Sequence, residues 1–257
     1  MILTVDVGNS NIVAVLYGKN RQRIWNTRHQ TMKKPQKGEY REFFANHKRR
    51  SEAEISGVMI SCVVPHIFDI VKRAAEYVFS DIPVAFLDTF TLDDFDVRLD
   101  NPREVGADLL ATSYGAREYP QPVIVADLGS ASKLTAVEGN IFYGGIIMLG
   151  IGNMASALHL SIPHLPKIPL VRPEKVITDD TIGSIQSGII YGAFGSVVQL
   201  ANMMEKQVGS PCKRILTGGY AKLFSTEMIE EAGFEYNEFL LSDGLYFVMK
   251  QLIKKNA

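Results

Sequence analysis

The sequence contains few of the residues that build disulfide frameworks and zinc sites. Its 257 residues include two cysteines, Cys62 and Cys212, and neither belongs to a Cys-x-x-Cys pair. Five histidines are scattered along the chain. Because both kinds of framework need cysteines or histidines at regular spacings, we expect neither a disulfide-stabilised fold nor a zinc site.

An excess of charge of one sign is also lacking. The formal net charge is -1 and the pI is about 6.5, so no global field would attract nucleic acid or an anionic membrane. The most basic stretch, residues 32–50, also contains Glu39 and Glu42 among apolar residues at helical spacing. This pattern favours a solvated helix face, and we expect no nucleic-acid partner.

Long apolar runs are absent too. No segment approaches the roughly 18 uninterrupted apolar residues that a membrane span needs. Met1 leads directly into the strand-like segment ILTVDV, without the basic segment and apolar core of a signal peptide. We therefore expect a soluble, cytoplasmic protein with no membrane partner.

The most informative feature that is present is an Asp-x-Gly motif, which occurs in the segments TVDVGNSN and VADLGSAS. Both copies follow an apolar run and precede small hydroxyl or amide residues. The aspartates Asp6 and Asp127 are 121 positions apart. The same separation recurs between glycines, in the pairs Gly8 and Gly129, and Gly18 and Gly139.

Alternating short strands and helices surround these motifs. Apolar alternation with Gly and Asn punctuation predicts strands over 2–7, 11–17 and 22–28, joined by turns at 8–10 and 18–20 whose residues tolerate positive φ. Further along, periodicity predicts a helix over 40–49, a strand over 57–64, a helix from Pro65, a strand over 84–87 and a turn leading into a helix over 101–118. After residue 121 the strand–turn–strand pattern of the N-terminus starts again.

This repetition predicts an α/β protein of two domains with like topology. We place the boundary between residues 1–115 and 116–257, with no Pro- or Ser-rich linker between the two. A cleft between the domains is the expected ligand site.

The duplicated motif has a chemistry that suits phosphates. Backbone N–H groups at a Gly turn form an anion-binding concavity, short hydroxyl and amide side chains add donors, and a carboxylate beside the turn holds Mg²⁺ through water. The segment RILTGGYAKLF adds a strand that ends in Gly218-Gly219 and opens a helix, where backbone approaches a nucleotide closely. Each element alone is also consistent with a polar turn of no function; together they indicate a nucleoside triphosphate site.

These three elements are similar to the phosphate 1, phosphate 2 and adenosine motifs of the actin-like, sugar-kinase-like ATPases. More specifically, the chain resembles the type III pantothenate kinases nearly end to end. The matching segments are DVGNSN, SCVVP, NPREVGAD, GG at 144–145, LP at 165–166, SIQSGIIYG and TGG. The resemblance implies two actin-like (ribonuclease H-like) domains with a nucleotide cleft between them.

The resemblance also implies an activity. Type III pantothenate kinases transfer the γ-phosphoryl group of ATP to the primary hydroxyl of pantothenate, the first step of coenzyme A biosynthesis. It implies Mg²⁺ and, in most members, a monovalent cation such as K⁺ or NH₄⁺. A homodimer is implied as well.

Site residues follow from the resemblance position by position. It implies ATP and phosphate contacts at Asp6, Gly8, Asn9, Ser10, Gly129, Ser130, Ser132, Gly218 and Gly219, with Asp6 and Asp127 near the metal. Lys133, which the family does not share, is a further expected phosphate contact because an ammonium is a compact positive charge. Gly106 and Asp108 match a Gly-x-Asp motif whose carboxylate is the expected general base beside the pantothenate hydroxyl. Thr181 matches a position that contacts pantothenate from the neighbouring subunit.

The sequence departs from the family at four positions in or beside these motifs. Leu109 stands where an Arg usually follows Gly-x-Asp, Lys133 replaces a Thr, Thr135 replaces an acid and Leu149 replaces a Pro. Two hypotheses follow. Either Lys133 supplies in cis the positive charge of the missing Arg or of a monovalent cation, or the chain is a weak paralogue that binds nucleotide or pantothenate as a regulator or as one subunit of a mixed dimer.

Two further patterns have a more ordinary interpretation beside the functional one. Ser184, Gly188, Gly192 and Ser196 recur every four positions, which predicts a helix face without bulk that contacts either a helix of the same chain or a second subunit. The segment GIGNMA resembles a dinucleotide fingerprint, but the strands before it belong to a meander, so we discount it.

Overall fold

The computed structural model describes residues 1–51 and 54–255. It divides into two compact units, the first formed by Met1–Gly115 together with the residues from Phe239 onward, and the second by Ala116–Glu238. Within the described ranges, no helix is both long and apolar enough to cross a membrane.

The first unit is built on a five-stranded sheet with the order β3-β2-β1-β4-β5. Strands β1 to β3 form an antiparallel meander, and β4 and β5 extend the sheet in parallel from β1. Its elements are β1 Ile2–Val7, β2 Asn11–Tyr17, β3 Arg23–Gln30, α1 Glu39–Arg50, β4 Gly57–Cys62, α2 Pro65–Val78, β5 Val84–Phe86, β6 Asp96–Val97, α3 Ala107–Ala116 and α7 Leu240–Lys255, with 3₁₀ turns at Lys19–Arg21 and Pro102–Glu104.

The core of this unit follows from amphipathic helices on an apolar sheet. Helix α2 begins with Pro65 at its first position, where a missing N–H costs nothing, and it buries Ile67 and Val71 against the core. Helix α7 contacts β1 and β4, and a Cβ atom at Gly57 would lie only 2.4 Å from Cε of Met249. The C-terminal helix therefore belongs to the first unit, whereas the sequence interpretation grouped it with the second.

The second unit repeats the arrangement of the first. Strands β7 to β9 form an antiparallel meander, and β10 and β11 continue in parallel from β7, in the order β11-β10-β7-β8-β9. Its elements are β7 Val123–Leu128, β8 Ala131–Glu138, β9 Ile141–Leu149, α4 Ile151–Ser161, α5 Thr181–Val208, β10 Lys213–Thr217, α6 Thr226–Glu231 and β11 Phe234–Tyr236, with a 3₁₀ turn at Gly219–Leu223.

Helix α5 is the longest element and has well-defined ends. The Asp180 side chain accepts a 2.9 Å hydrogen bond from the Gly183 N–H at the N-terminus, and Gly209 closes the C-terminus with φ of 83°. Its buried side packs, with α4, against the sheet core around Leu134 and Leu216.

One predicted turn differs from the structure. The sequence predicts positive φ at the Gly or Asn of residues 18–20; Asn20 has it, at 54°, and Arg21 follows at 60°, but Gly18 has φ of -86°. The reason is that the chain makes a 3₁₀ turn beyond Gly18 instead of a tight two-residue hairpin. Gly139 does have positive φ, at 59°, so Gly18 and Gly139 share a sequence separation without sharing a conformation.

Candidate functional site

The first Asp-x-Gly motif forms the turn between β1 and β2. The Gly8 N–H donates to the Asn11 carbonyl at 3.0 Å, and the Thr31 hydroxyl donates to the Gly8 carbonyl at 2.6 Å. Asn9 and Ser10 are exposed at the tip of the turn. Asp6 is half-buried and is separated from the turn by one residue of β1. Thr31, which was not predicted, fixes the turn from the strand end beside it.

The Gly-x-Asp turn lies at the same sheet edge as this hairpin. The Val63 N–H, just beyond β4, donates to the Val7 carbonyl at 3.1 Å, and a Cβ at Gly106 would lie 3.8 Å from Cγ1 of Val63. The same Cβ would lie 2.7 Å from Oδ1 of Asp108, so a side chain at position 106 would displace the Asp108 carboxylate. Asp108, half-buried in the first turn of α3, therefore folds back over Gly106, at the carboxyl ends of β1 and β4.

The second Asp-x-Gly hairpin is one residue shorter than the first. Asp6 lies opposite Val13 in the first hairpin, whereas Asp127 lies opposite Lys133 in the second. Lys133 Nζ lies 3.0 Å from Oδ2 of Asp127, and the two side chains are only 12% and 13% exposed. The hairpin thus holds a lysine–aspartate ion pair that is largely withdrawn from solvent.

The adenosine motif packs directly on Asp127. Gly218, which ends β10, has φ of 93°, and a Cβ there would lie 2.5 Å from Oδ1 of Asp127 and 2.5 Å from the Leu128 nitrogen. Only Gly allows this approach. Gly219 then begins a 3₁₀ helix, at the place where the sequence predicted a helix to start.

Two residues that support the second hairpin were not predicted as site residues. The Gly150 N–H and the Asn153 side-chain amide both donate to the Ser130 carbonyl, at 3.2 and 2.8 Å. A Cβ at Gly150 would lie 2.3 Å from the Gly129 carbonyl oxygen. The signal was present in GIGNMA, whose preceding strand β9 runs antiparallel to β8, so the segment is a support for the hairpin and not a dinucleotide fingerprint.

The remaining second-hairpin residues do not gather around the ion pair. Ser132 is 1% exposed and, as the neighbour of Lys133 in β8, faces the opposite side of the sheet. Thr135 is 2% exposed, and its hydroxyl is buried without a hydrogen-bond partner among the described residues. The structure therefore brings Gly129, Asp127, Lys133 and Gly218 together, but not Ser132.

Thr181 lies elsewhere in the second unit, at the start of α5. It lines an open pocket of about 680 Å³, whose walls include Leu158, Leu165, Asp179 and Ser184. The predicted small-residue face continues from this pocket along the helix. Among the described residues, a Cβ at Gly188 or Gly192 would meet no atom within 4 Å, which argues against the alternative that a helix of the same chain covers this face.

A metal site built by protein side chains alone is not seen. Across residues 1–51 and 54–255, no three His, Cys, Asp or Glu side chains are grouped as metal ligands. Mg²⁺ in phosphoryl-transfer sites is usually held by one or two carboxylates together with phosphates and water, so the half-buried Asp6 beside its Gly turn fits that requirement.

Comparison with solved structures defines the class. A protein described as a Baf family transcriptional activator from Campylobacter jejuni matches with 18% identity and a TM-score of 0.61, covering 98% of this chain and 99% of that one. A protein described as a 2-dehydro-3-deoxygalactonokinase from Sinorhizobium meliloti matches with 12% identity and a TM-score of 0.63, over 98% and 99%. A ROK family glucokinase from Streptomyces griseus, solved with glucose and AMPPNP, matches with 13% identity and a TM-score of 0.53, over 97% and 99%.

These similarities establish the two-domain, actin-like α/β fold of sugar kinases and related ATPases. The family follows from the sequence: the profile described as type III pantothenate kinase matches residues 2–203. The chain belongs to the type III pantothenate kinase family, and as a member of it is a kinase that uses a nucleotide.

Proposed function

We propose that this chain phosphorylates the primary hydroxyl of pantothenate with ATP, yielding 4'-phosphopantothenate. The observation that carries the proposal is that Gly106 and Asp108 lie at the same sheet edge as the Asp6 hairpin, in a chain of this family. A carboxylate and a phosphate-binding turn at one edge are the two parts that transfer to an alcohol requires.

In this mechanism, the chain mainly positions groups and neutralises charge, because phosphoryl transfer offers little covalent chemistry to the protein. The N–H groups of the Gly8 turn, with the side chains of Asn9 and Ser10, bind phosphate oxygens. Asp6 would hold Mg²⁺, which neutralises the charge of the triphosphate when bound. Asp108 accepts the proton of the pantothenate hydroxyl as its oxygen bonds to the γ-phosphorus and the bond to the ADP oxygen breaks.

The adenine side of the nucleotide is proposed to bind at Gly218 and Gly219, where Gly219 is exposed and Gly218 packs against the second hairpin. We further propose a homodimer in which the exposed face of α5 contacts a second copy and brings Thr181 to the partner's pantothenate. The exposed side chains of Ile182 and Met203, 44% and 55% accessible, support an apolar contact on this helix.

The proposal is tested by ADP release from the purified chain with MgATP, in the presence and absence of pantothenate. Glucose and glycerol serve as other primary alcohols. We expect release that depends on pantothenate and falls by orders of magnitude in Asp6→Asn. Asp81→Asn is the matched control, because that carboxylate pairs with Lys48 on the surface. Equal release with every alcohol, or with none, would contradict the assignment of pantothenate.

A further inference from the structure

The two Asp-x-Gly hairpins differ in one charged side chain. In the first, the residue opposite the aspartate is Val13, which carries no charge; in the second it is Lys133. Cross-strand partners lie on the same face of a sheet, with side chains in reach of each other. The shorter second loop is what brings Lys133 opposite Asp127, since a loop of the first hairpin's length would place Leu134 there.

The surroundings of this pair favour a role beyond stability. The two side chains of this ion pair are about seven-eighths buried. Removing two charges from water costs free energy, and the attraction between the charges often does no more than offset that cost. A pair of apolar residues would therefore stabilise the hairpin at least as well. The pair is also enclosed by features that suit an anion. Gly129 forms the turn two residues from Asp127, and Gly218 presents a backbone without a side chain directly against Asp127.

We propose that Lys133 is the phosphate-binding cation of the second hairpin, and that Asp127 positions its ammonium instead of coordinating a divalent metal. The proposal rests on the nucleotide use proposed above. It differs from the role that the resemblance implied for Asp127, because that carboxylate already lies at hydrogen-bond distance from a cation of the chain itself. An ammonium has three donors, so one group can bind both a carboxylate and a phosphate oxygen.

Two consequences follow for the cations that the protein needs. The positive charge at the second hairpin is the ammonium of Lys133, which is part of the chain. This hairpin therefore requires neither Mg²⁺ nor added K⁺ to bind phosphate. Divalent metal in the nucleotide complex then depends on Asp6 and not on Asp127. Asp6 and Asp127 occupy the same position in their motifs, but we predict that Asp6 holds the metal and that Asp127 positions Lys133.

The first test measures binding of ADP and of adenosine by calorimetry in EDTA, without pantothenate. In Lys133→Met we expect ADP affinity to fall by about tenfold or more and adenosine affinity to stay within about twofold, because the ammonium contacts phosphate only. Lys133→Arg should recover part of the loss, and it replaces Lys133→Met if that variant does not fold. Lys213→Met is the matched control, because Lys213 lies on β10 of the same sheet and forms an ion pair with Glu235. An unchanged ADP affinity in the folded Lys133 variants would overturn the proposal.

The second test measures Mn²⁺ bound to the ADP complex by electron paramagnetic resonance. Asp6→Asn should lose the bound Mn²⁺ and Asp127→Asn should retain it; loss in Asp127→Asn would overturn the assignment of that carboxylate. Neither test uses pantothenate, so both outcomes are independent of the proposed reaction. If turnover of pantothenate requires added K⁺, the inference fails while the proposed function stands; if both binding results appear without turnover, the inference stands alone.

Discussion

The hydroxyl of Tyr17 and the carboxylate of Asp243 meet in the interior of the first unit. Tyr17, on β2, donates a 2.7 Å hydrogen bond to Oδ1 of Asp243, on α7, and the side chains are 0% and 5% exposed. Burial, followed by the nearby negative charge of Asp243, raises the pKa of Tyr17 far above its usual value, so the phenol stays a donor. This hydrogen bond joins the C-terminal helix to a strand more than 220 residues away in sequence.

Replacing Tyr17 with Phe should therefore destabilise the first unit. The substitution keeps the ring contact with Tyr246 but removes a donor from a buried carboxylate, which costs about 1–3 kcal/mol. Urea unfolding followed by circular dichroism measures the change. Tyr77→Phe, on an exposed ring, should have no effect. Equal stability of Tyr17→Phe and wild type would show that the hydrogen bond does not hold α7 in place.

The stability of the first unit should also fall below about pH 6.5, the ordinary pKa of histidine. His47 is buried, with Nδ1 2.7 Å from the Phe43 carbonyl and Nε2 2.8 Å from the Thr27 hydroxyl. Burial is the main cause that lowers its pKa, and the charges of His29 and Arg50 act in the same direction. The unfolded chain consequently binds a proton at higher pH than the folded chain does.

The contribution of His47 to stability is complete above pH 6.5 and is lost as the pH falls towards its lowered folded-state pKa. Unfolding free energies measured between pH 5 and 8 should show this slope in wild type. His47→Gln should reduce the slope, whereas His66→Gln, at an exposed position, should preserve it. A slope that survives in His47→Gln would assign the pH dependence to another group.

A bulky residue on the exposed face of α5 should disrupt assembly. A Cβ at Gly188 would meet no atom of the described residues within 4 Å, so Gly188→Leu should retain the fold, and the helix gains about 1 kcal/mol in propensity. If this face contacts a second copy, light scattering should report a dimer for wild type and a monomer for the variant. Gln207→Leu, exposed near the end of the same helix, is the control. A Gly188→Leu dimer would exclude this face from the interface.

Asp108→Asn tests the proposed base separately from nucleotide binding. We expect kcat to fall by about 10²-fold or more while the Kd of ATP changes little, because the amide cannot accept the hydroxyl proton. Steady-state rates give kcat, and calorimetry gives the Kd. A large rise in the Kd instead would reassign Asp108 to the nucleotide or its metal. Asp94→Asn, in the turn before β6, controls for loss of an acidic side chain in the first unit.

Much of the fold could be predicted because local patterns determine it. Strands 2–7 and 11–17 have the predicted bounds, and Pro65 begins α2 as its sequence signal indicates. The third strand starts and ends later than predicted, at Arg23–Gln30, because a 3₁₀ turn takes the preceding residues. The position of α7 was not predictable, because it depends on contacts such as Met249 against Gly57, which no local pattern encodes.

The candidate site shows the same division. The glycines at 129 and 218 could be found from the sequence, because the first lies in the turn of the second hairpin and the second lies where a close approach excludes a side chain. The pairing of Lys133 with Asp127 could not, because the constant separation of 121 residues suggested Leu134 as the counterpart of Val13. Shortening one loop by a residue exchanges the two faces of a strand, and only the three-dimensional register reveals it.

The most direct test of the proposed reaction is phosphorus-31 nuclear magnetic resonance of the purified chain with ATP, Mg²⁺, K⁺ and pantothenate. We predict a new phosphomonoester signal that grows with the loss of the γ-phosphate signal of ATP, and that couples to the methylene protons of the pantothenate primary alcohol. Formation of inorganic phosphate alone, or an unchanged ATP spectrum with a folded protein, would contradict it.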